Sequence, residues 1–232
     1  MRTLLVDDEP LARLELRRLL AAFPWIEIVG EAAHVDDAVA QIDALSPALV
    51  LLDVQMPGGT GFDVLERVAH VPLVIFTTAY DNHAVRAFEV DALDYLVKPV
   101  EPRRLATALA RVQDQARAAP VRSDAIERLF VRDRGRCWFV PVHEVRLLAS
   151  EGNFVRLYFH DAQPYLASSL VALEPRLDER RFFRANRHQI VNLDFIERIE
   201  VSAGGGLDIE LRGGPPVEMS RRQARLFRAR MA

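Results

Sequence analysis

Three carboxylates stand directly after two short apolar runs in the first half of this sequence. Asp53 follows residues 48–52, and Asp7 and Asp8 follow residues 3–6. Runs this short and without polar alternation indicate strands that are buried on both faces of a parallel sheet. Because ligand chemistry in such sheets gathers at the carboxyl ends of the strands, we expect the three carboxylates to meet at one edge.

Two other polar groups occupy the same kind of position. Thr78 closely follows the apolar run 72–76, and Lys98, the only lysine of the chain, follows the run 93–97. Clustered carboxylates either raise one another's pKa or hold a hard cation, and Mg²⁺ prefers oxygen ligands. A cation, a hydroxyl and an ammonium around one carboxylate form a receptor for a phosphoryl group.

Helical patterns separate the apolar runs. We predict strands at residues 3–6, 26–30, 48–52, 72–76 and 93–97, and helices at 10–23, 36–45, 62–69, 82–90 and 102–118. The apolar face of the first helix is predicted to consist of Leu11, Leu14, Leu16, Leu19 and Leu20. The alternation predicts an α/β doubly wound, flavodoxin-like sheet with strand order 2-1-3-4-5, in which the first and third strands are neighbours.

These residues also have less specialised explanations. An Asp after a buried strand is often a turn or N-cap residue, one of Thr77 and Thr78 simply packs, and Tyr95 is more often a core residue. A metal-dependent phosphatase of related architecture also carries an aspartyl nucleophile at a strand end. Such an enzyme needs a second Asp two residues later, where this chain has Gln55, so the phosphatase is the less favoured alternative.

Five motifs in order favour the phosphoryl receptor. They are VDDEP at 6–10, LDVQMP at 52–57, GF at 61–62, TTA at 77–79 and YLVKP at 95–99. Together they resemble the motif set of a receiver domain of two-component response regulators, and the resemblance covers residues 1–118. It implies that Asp53 accepts phosphate from a sensor histidine kinase. It implies no enzymatic turnover beyond hydrolysis of the protein's own phosphoaspartate.

The resemblance also implies a magnesium site. Asp8, Asp53 and the backbone carbonyl of Gln55 would bind Mg²⁺, and Asp7 would assist through a water molecule.

Further roles follow from the same resemblance. Thr78 and Lys98 would contact the phosphoryl oxygens, Tyr95 would be the switch aromatic, and the peptide bond between Lys98 and Pro99 would be cis. Phosphorylation would then change the surface around Tyr95 and allow two receiver domains to form a homodimer.

The pattern changes after a predicted linker, residues 119–124, which contains Pro120. Beyond it, short β-type runs predict strands at 129–132, 137–140, 145–148, 154–159, 189–191, 207–211 and 217–219. Two helical patterns, 169–177 and one from Ser220, interrupt them, and residues 204–206 are typical of a hairpin turn. Residues 125–232 are therefore predicted to form a mainly β domain.

Three motifs in this domain, at 147–155, 182–193 and 219–222, resemble a LytTR-type DNA-binding domain. With the receiver motifs, they point to the LytR/AlgR group of response regulators, whose β domain inserts loops into successive major grooves. The DNA-contacting residues that the motif positions imply are Asn153, Val155, Arg156, Arg187, His188, Arg221 and Arg222. Val155 stands where some relatives have a polar residue, so Asn153 or Arg156 is the alternative base-contacting residue in the loop of the first motif.

The charge distribution agrees with an anionic partner for the second half. Residues 1–119 carry 11 basic and 18 acidic side chains, and residues 120–232 carry 19 and 15. We expect a transcription regulator that binds promoter DNA as a dimer on imperfect direct repeats. The alternative is a β domain that binds protein.

Composition limits where such a protein acts. The sequence has one cysteine, no apolar run long enough to span a membrane and no signal-peptide pattern. We therefore expect a cytoplasmic protein without a membrane partner.

Overall fold

The computed structural model describes residues 1–79, 93–118 and 125–231 of the 232-residue chain. The chain divides into two compact units, one of Met1–Val121 with Arg134–Phe139 and one of Arg122–Asp133 with Val140–Ala232. The predicted helix 82–90 and the predicted linker 119–124 lie outside the described residues. The domain boundary therefore stays a prediction.

A five-stranded parallel sheet forms the centre of the first unit. The strands of this unit are β1 (Arg2–Val6), β2 (Glu27–Ala32), β3 (Leu49–Asp53), β4 (Gln55–Met56), β5 (Gly59–Thr60), β6 (Leu73–Thr78) and β7 (Asp94–Val97). The large sheet has the order β2-β1-β3-β6-β7, and β4 pairs with β5 in a separate small hairpin. With that hairpin set aside, the predicted order 2-1-3-4-5 is confirmed.

The described helices of this unit are α1 (Pro10–Leu20), α2 (Val35–Leu45), α3 (Gly61–Arg67) and α4 (Pro102–Ala118). Leu16 and Leu20 of α1 are buried in a core that also contains residues of β3, β6 and α4. The prediction for Leu11 and Leu14 is wrong, because they are 79% and 61% exposed. They lie more than 100° around the helix from Leu16, at about 100° per residue.

Two sheets form most of the second unit. Its strands and those that lead into it are β8 (Arg128–Asp133), β9 (Arg136–Pro141), β10 (Leu147–Glu151), β11 (Phe154–Tyr158), β12 (Tyr165–Leu166), β13 (Phe182–Asn186), β14 (Gln189–Asn192), β15 (Ile196–Val201), β16 (Leu207–Leu211) and β17 (Val217–Met219). One antiparallel sheet has the order β12-β11-β10-β14-β13 and the other β15-β16-β17. The mainly β prediction is confirmed, although it omitted β12, β13 and β15.

Two α-helices lie among the described residues of this unit. The first, α5 (Leu170–Leu173), continues as a 3₁₀ turn over Glu174–Arg176, so it is shorter than the predicted 169–177. The second, α6 (Arg221–Met231), buries Ala224 and Phe227. These two side chains join a core formed by alternate residues of β16 and β17 together with residues of β10, β13 and β14. No helix of the described residues is long and apolar enough to cross a membrane.

Candidate functional site

The sheet topology brings the predicted carboxylates together. β1 pairs with β3, so Asp7, Asp8 and Asp53 lie at neighbouring strand ends. One carboxylate oxygen of each lies within 4.8 Å of those of the other two. Asp7 has no exposed surface and Asp53 is 5% exposed. This arrangement concentrates negative charge where little water can screen it.

Lys98 is the cation that faces this group. Its Nζ lies 2.7 Å from Oδ2 of Asp53 and 2.8 Å from Oδ2 of Asp7. The backbone amide of Lys98 donates to the carbonyl of Thr78 at 2.7 Å, and the peptide bond to Pro99 is cis, as expected. The ammonium therefore bridges two carboxylates that would otherwise repel each other.

The protonation of Asp53 and Lys98 reflects this geometry. Burial raises the pKa of the Asp53 carboxyl, and the hydrogen bond and charge of Lys98 offset this only in part, while Asp7 adds to the increase. Burial lowers the pKa of Lys98, but the hydrogen bonds and charges of Asp53 and Asp7 outweigh it, so that pKa is raised. The edge carries more negative charge than one ammonium offsets.

Backbone amides hold two of the carboxylates in place. The amide of Glu9 donates to Oδ1 of Asp7 at 3.0 Å, and the amide of Gln55 donates to Oδ1 of Asp53 at 3.2 Å. The guanidinium of Arg13 also donates to the carbonyl of Asp7 at 2.6 Å. Each carboxylate thus has one oxygen fixed by its own turn, while the other faces Lys98.

Thr78 lies on β6, the neighbour of β3, and Tyr95 lies on β7, one strand further out. Thr78 is the last residue of β6 and is 1% exposed. Tyr95 of β7 pairs with Phe76 of β6 and stacks on its ring, with 5.3 Å between ring centroids and 16° between planes. Sequence reasoning placed Thr78 at the acidic edge and Tyr95 one strand further out, and both positions agree with the strand order.

Gly61 fits closely against the acidic edge. It begins α3, its amide donates to the carbonyl of Val54 at 3.0 Å, and a Cβ at this position would overlap the carbonyl oxygen of Asp53. Thr60 and Asp63 form a capping box at the same helix start. A side chain on Gly61 would therefore displace the backbone that carries Asp53.

In the β domain, the predicted DNA-contacting residues fall on three segments. Asn153 is exposed in the turn between β10 and β11, Arg187 and His188 are exposed between β13 and β14, and Arg222 is exposed at the start of α6. The side chains of these four residues are therefore accessible to a ligand that approaches from solvent.

Val155 does not agree with its predicted role. It has no exposed surface, because the side chains of β11 alternate between solvent and core. We therefore correct the predicted set, and Val155 is assigned to the core of the domain.

Arg156 is held by neighbouring side chains. Its guanidinium donates to the hydroxyl of Tyr165, lies 4.8 Å from the centre of that ring and pairs with the carboxylate of Glu151 at 3.0 Å. The Tyr165 hydroxyl donates to the same carboxylate at 2.8 Å. Arg156 is thus part of a hydrogen-bond network beside the turn between β10 and β11, which is the first loop.

The second and third segments contain further contacts. Nε of Arg187 donates to Nε2 of His188 at 2.7 Å, and Nδ1 of His188 lies 3.1 Å from the hydroxyl oxygen of Ser150. Arg221 donates to the carbonyl of Gly204 in the turn between β15 and β16. Arg221 therefore contacts that turn, while Arg187 and His188 contact each other.

Comparison with known proteins adds to this geometry. Residues 3–110 match the family model of the response regulator receiver domain, and residues 135–232 match that of the LytTr DNA-binding domain. The chain has the two parts of a response regulator with a DNA-binding output.

Relatives match nearly the whole chain. The sensory transduction protein LytT of Bacillus anthracis is 31% identical over 97% of this chain and 96% of its own length. The transcriptional regulatory protein BtsR of Escherichia coli K12 is 31% identical over 96% and 95%. Among solved structures, the response regulatory domain of protein mrkE from Klebsiella pneumoniae aligns over its whole length with 51% of this chain. The sequence identity is 30% and the TM-score is 0.46. The protein belongs to the LytR/AlgR family of two-component response regulators.

The tight packing at Gly61 yields a first prediction. Gly61→Ala should lower the free energy of unfolding by about 1–3 kcal/mol, because the added methyl group must push the Asp53 backbone away. Urea unfolding followed by circular dichroism would measure the change. Gly204→Ala is the control, since a Cβ there meets nothing within 4 Å. Equal stabilities for wild type and Gly61→Ala would contradict the packing argument.

The raised pKa of Asp53 yields a second prediction. A group whose pKa is higher in the folded state favours folding when protonated, and this contribution is lost as pH rises through the folded-state pKa. Asp53→Asn should therefore gain stability relative to wild type as pH rises from about 4 to about 8, in the absence of divalent cations.

Chemical unfolding at several pH values would measure this difference. The control is Asp114→Asn, which removes one carboxylate from an exposed position on α4. If instead the stability of Asp53→Asn relative to wild type falls as pH rises, the pKa of Asp53 is not raised in the folded protein.

Proposed function

We propose that phosphorylation of Asp53 by a sensor histidine kinase controls the binding of this protein to promoter DNA. The observation that carries the proposal is the buried edge at which Lys98 contacts both Asp53 and Asp7. The ammonium of Lys98 already lies beside the Asp53 carboxylate, so it is in place to stabilise the negative charge of an incoming phosphoryl group.

The chemical step would be a transfer between two side chains. A carboxylate oxygen of Asp53 forms a bond to phosphorus, and the bond between phosphorus and the kinase imidazole nitrogen breaks, with its electron pair left on the imidazole. Lys98 would move its ammonium to a phosphoryl oxygen, and the Thr78 hydroxyl would contact another. No turnover of an external phosphate ester is proposed.

The acidic edge also suits a magnesium ion. Asp8, Asp53 and the backbone carbonyl of Gln55 would hold Mg²⁺, with Asp7 acting through water, and the oxygen-only donor set is the one this ion prefers. When bound, the ion would neutralise charge on the carboxylates and the phosphoryl group. The excess of carboxylates over ammonium groups at this edge favours such an ion.

Tyr95 is the proposed link to the output. Phosphorylation adds negative charge and acceptor oxygens that draw Thr78 and Lys98 toward Asp53. Thr78 ends β6 and Lys98 directly follows β7. Tyr95 lies three residues before Lys98, stacked on Phe76. A shift at these strand ends would change the packing of Tyr95 and the surface through which two receiver domains form a homodimer.

Dimerisation would place two β domains on one stretch of DNA. We propose imperfect direct repeats as the target, since two linked domains gain affinity through effective concentration without a new base contact. Asn153, Arg187, His188 and Arg222 are the proposed contacts, with Arg221 toward the phosphates and Arg156 supporting the first loop. These events would take place in the cytoplasm, where promoter DNA lies.

The phosphoacceptor assignment can be tested by labelling. Wild-type protein with acetyl phosphate and Mg²⁺ should gain one phosphoryl group, detected by mass spectrometry of the intact protein. Asp53→Asn should gain none, and chelation of divalent cations should abolish labelling of the wild type. Asp114→Asn is the matched control and should be labelled normally. Labelling of Asp53→Asn at the wild-type level would place the phosphosite elsewhere.

The DNA assignment can be tested with duplexes selected from a random pool by the beryllofluoride-treated wild type. Arg187→Ala should lose about 1–3 kcal/mol of binding free energy on a selected duplex, the range for one arginine contact to guanine. Fluorescence anisotropy would measure this, with the exposed Arg180→Ala as control. Absent or salt-insensitive binding by the wild type would favour the alternative, a β domain that binds protein.

A further inference from the structure

Arg184 is a half-buried arginine of β13 that makes three hydrogen bonds in three directions. Its Nε donates to the carbonyl of Asn186 at 2.7 Å, one terminal nitrogen donates to the carbonyl of Arg187 at 2.6 Å, and the other pairs with Glu174 at 3.0 Å. The strand register shifts between Arg184 and Asn186. The guanidinium therefore fixes the backbone of the turn that presents Arg187 and His188.

Asn186 connects this turn to another segment. Its Oδ1 accepts the amide of His188 at 2.8 Å, and its Nδ2 donates to the carbonyl of Glu218 at 2.9 Å and to Oε1 of Gln189 at 2.7 Å. Glu218 belongs to β17, which leads directly into α6. The turn and the start of α6 are thus held at a fixed separation.

Two more contacts complete the connection. The side-chain amide of Gln223 in α6 donates to the carbonyl of Arg184 at 2.7 Å. On the other side, the amide of Ser150 donates to the carbonyl of His188 at 2.8 Å, and Ser150 lies in β10, just before the first loop. All three proposed DNA-contacting segments are therefore joined by hydrogen bonds that converge on residues 184–188.

We propose that Arg184 is a positioning residue, which sets the place of Arg187 and His188 against the bases without itself contacting DNA. The proposal rests on the proposed DNA contact of Arg187. Arg184 uses its guanidinium on two carbonyls and on the carboxylate of Glu174, which offsets its charge. Lysine has a single point-like ammonium and cannot reproduce this planar fork.

The consequence is a specific pattern of binding defects. A base contact depends on placement to within about 0.5 Å, whereas attraction to phosphates depends mainly on charge. Arg184→Lys keeps the charge but loses the fork. It should therefore weaken binding to a selected duplex by about 10- to 100-fold, and leave binding to unrelated duplexes and the dependence of that binding on salt unchanged.

The decisive experiment is a double-mutant cycle on the full-length protein, with wild type, Arg184→Lys, Arg187→Ala and the double variant. Anisotropy titrations use a selected duplex and a scrambled duplex at several salt concentrations, and Arg180→Lys serves as the control. If Arg184 acts through Arg187, Arg184→Lys should cost little in the Arg187→Ala background. Additive losses would overturn the proposal, as would wild-type affinity of Arg184→Lys for the selected duplex.

Two other outcomes are informative. The neutral variant Arg184→Gln tests for a phosphate contact. If its binding to scrambled DNA depends on salt less than that of the wild type, by about one unit of slope, Arg184 contacts a phosphate and the proposal is overturned. Wild-type affinity of Arg187→Ala for the selected duplex would refute the proposed reader itself, and with it the positioning role. The single variant Arg187→Ala therefore separates the failure of the proposed function from that of this inference.

A readout without DNA protects the test against simple unfolding. Because His188 is hydrogen-bonded within the positioned turn, the NMR signals of its ring should shift in Arg184→Lys, while those of His160, paired with Glu144, should not. Thermal unfolding should show that the variant is folded at the temperature of the measurement. Unchanged His188 signals in folded Arg184→Lys would overturn the proposal.

Discussion

The receiver unit depends on the contact of one ammonium with two carboxylates. Parallel strands of a doubly wound sheet end at a common edge, and β1 and β3 deliver Asp7, Asp8 and Asp53 to it. Without a cation, three carboxylates that are only weakly screened by solvent would repel one another strongly. Lys98 offsets only part of this repulsion, and the remaining negative charge would favour a divalent cation at this edge.

Much of this edge could be predicted because its residues are fixed by the simplest rule of the fold, their position at strand ends. The exposed face of α1 could not, since five leucines in eleven residues fit more than one helical stripe, and only packing decides that Leu16 and Leu20 face inward. Val155 is a different case. Side chains alternate along β11, so Val155 and Leu157 both face the core, which motif position alone does not indicate.

The partners of the arginines in the β domain could not be predicted either. Arg156 contacts Tyr165, its partner in the pairing of β11 with β12. Arg184 contacts Glu174 before its own strand, Asn186 at the end of that strand and Arg187 just beyond it. These partners are at most ten residues apart in the sequence, but the contacts depend on turn geometry and strand register, about which periodicity carries no information. An arginine count therefore indicates an anionic partner, but only the fold separates the arginines that are available to it from those that hold the backbone.

The presence of a single lysine distinguishes the acidic edge chemically from the rest of the chain. Every other cationic side chain except histidine is an arginine, which stays protonated and reacts poorly with acylating agents. Reversible acetylation of a lysine side chain could alter this protein at one place only, where it would remove the ammonium that faces Asp53 and Asp7. Acylation of a lysine side chain would therefore always leave the acidic edge more negative.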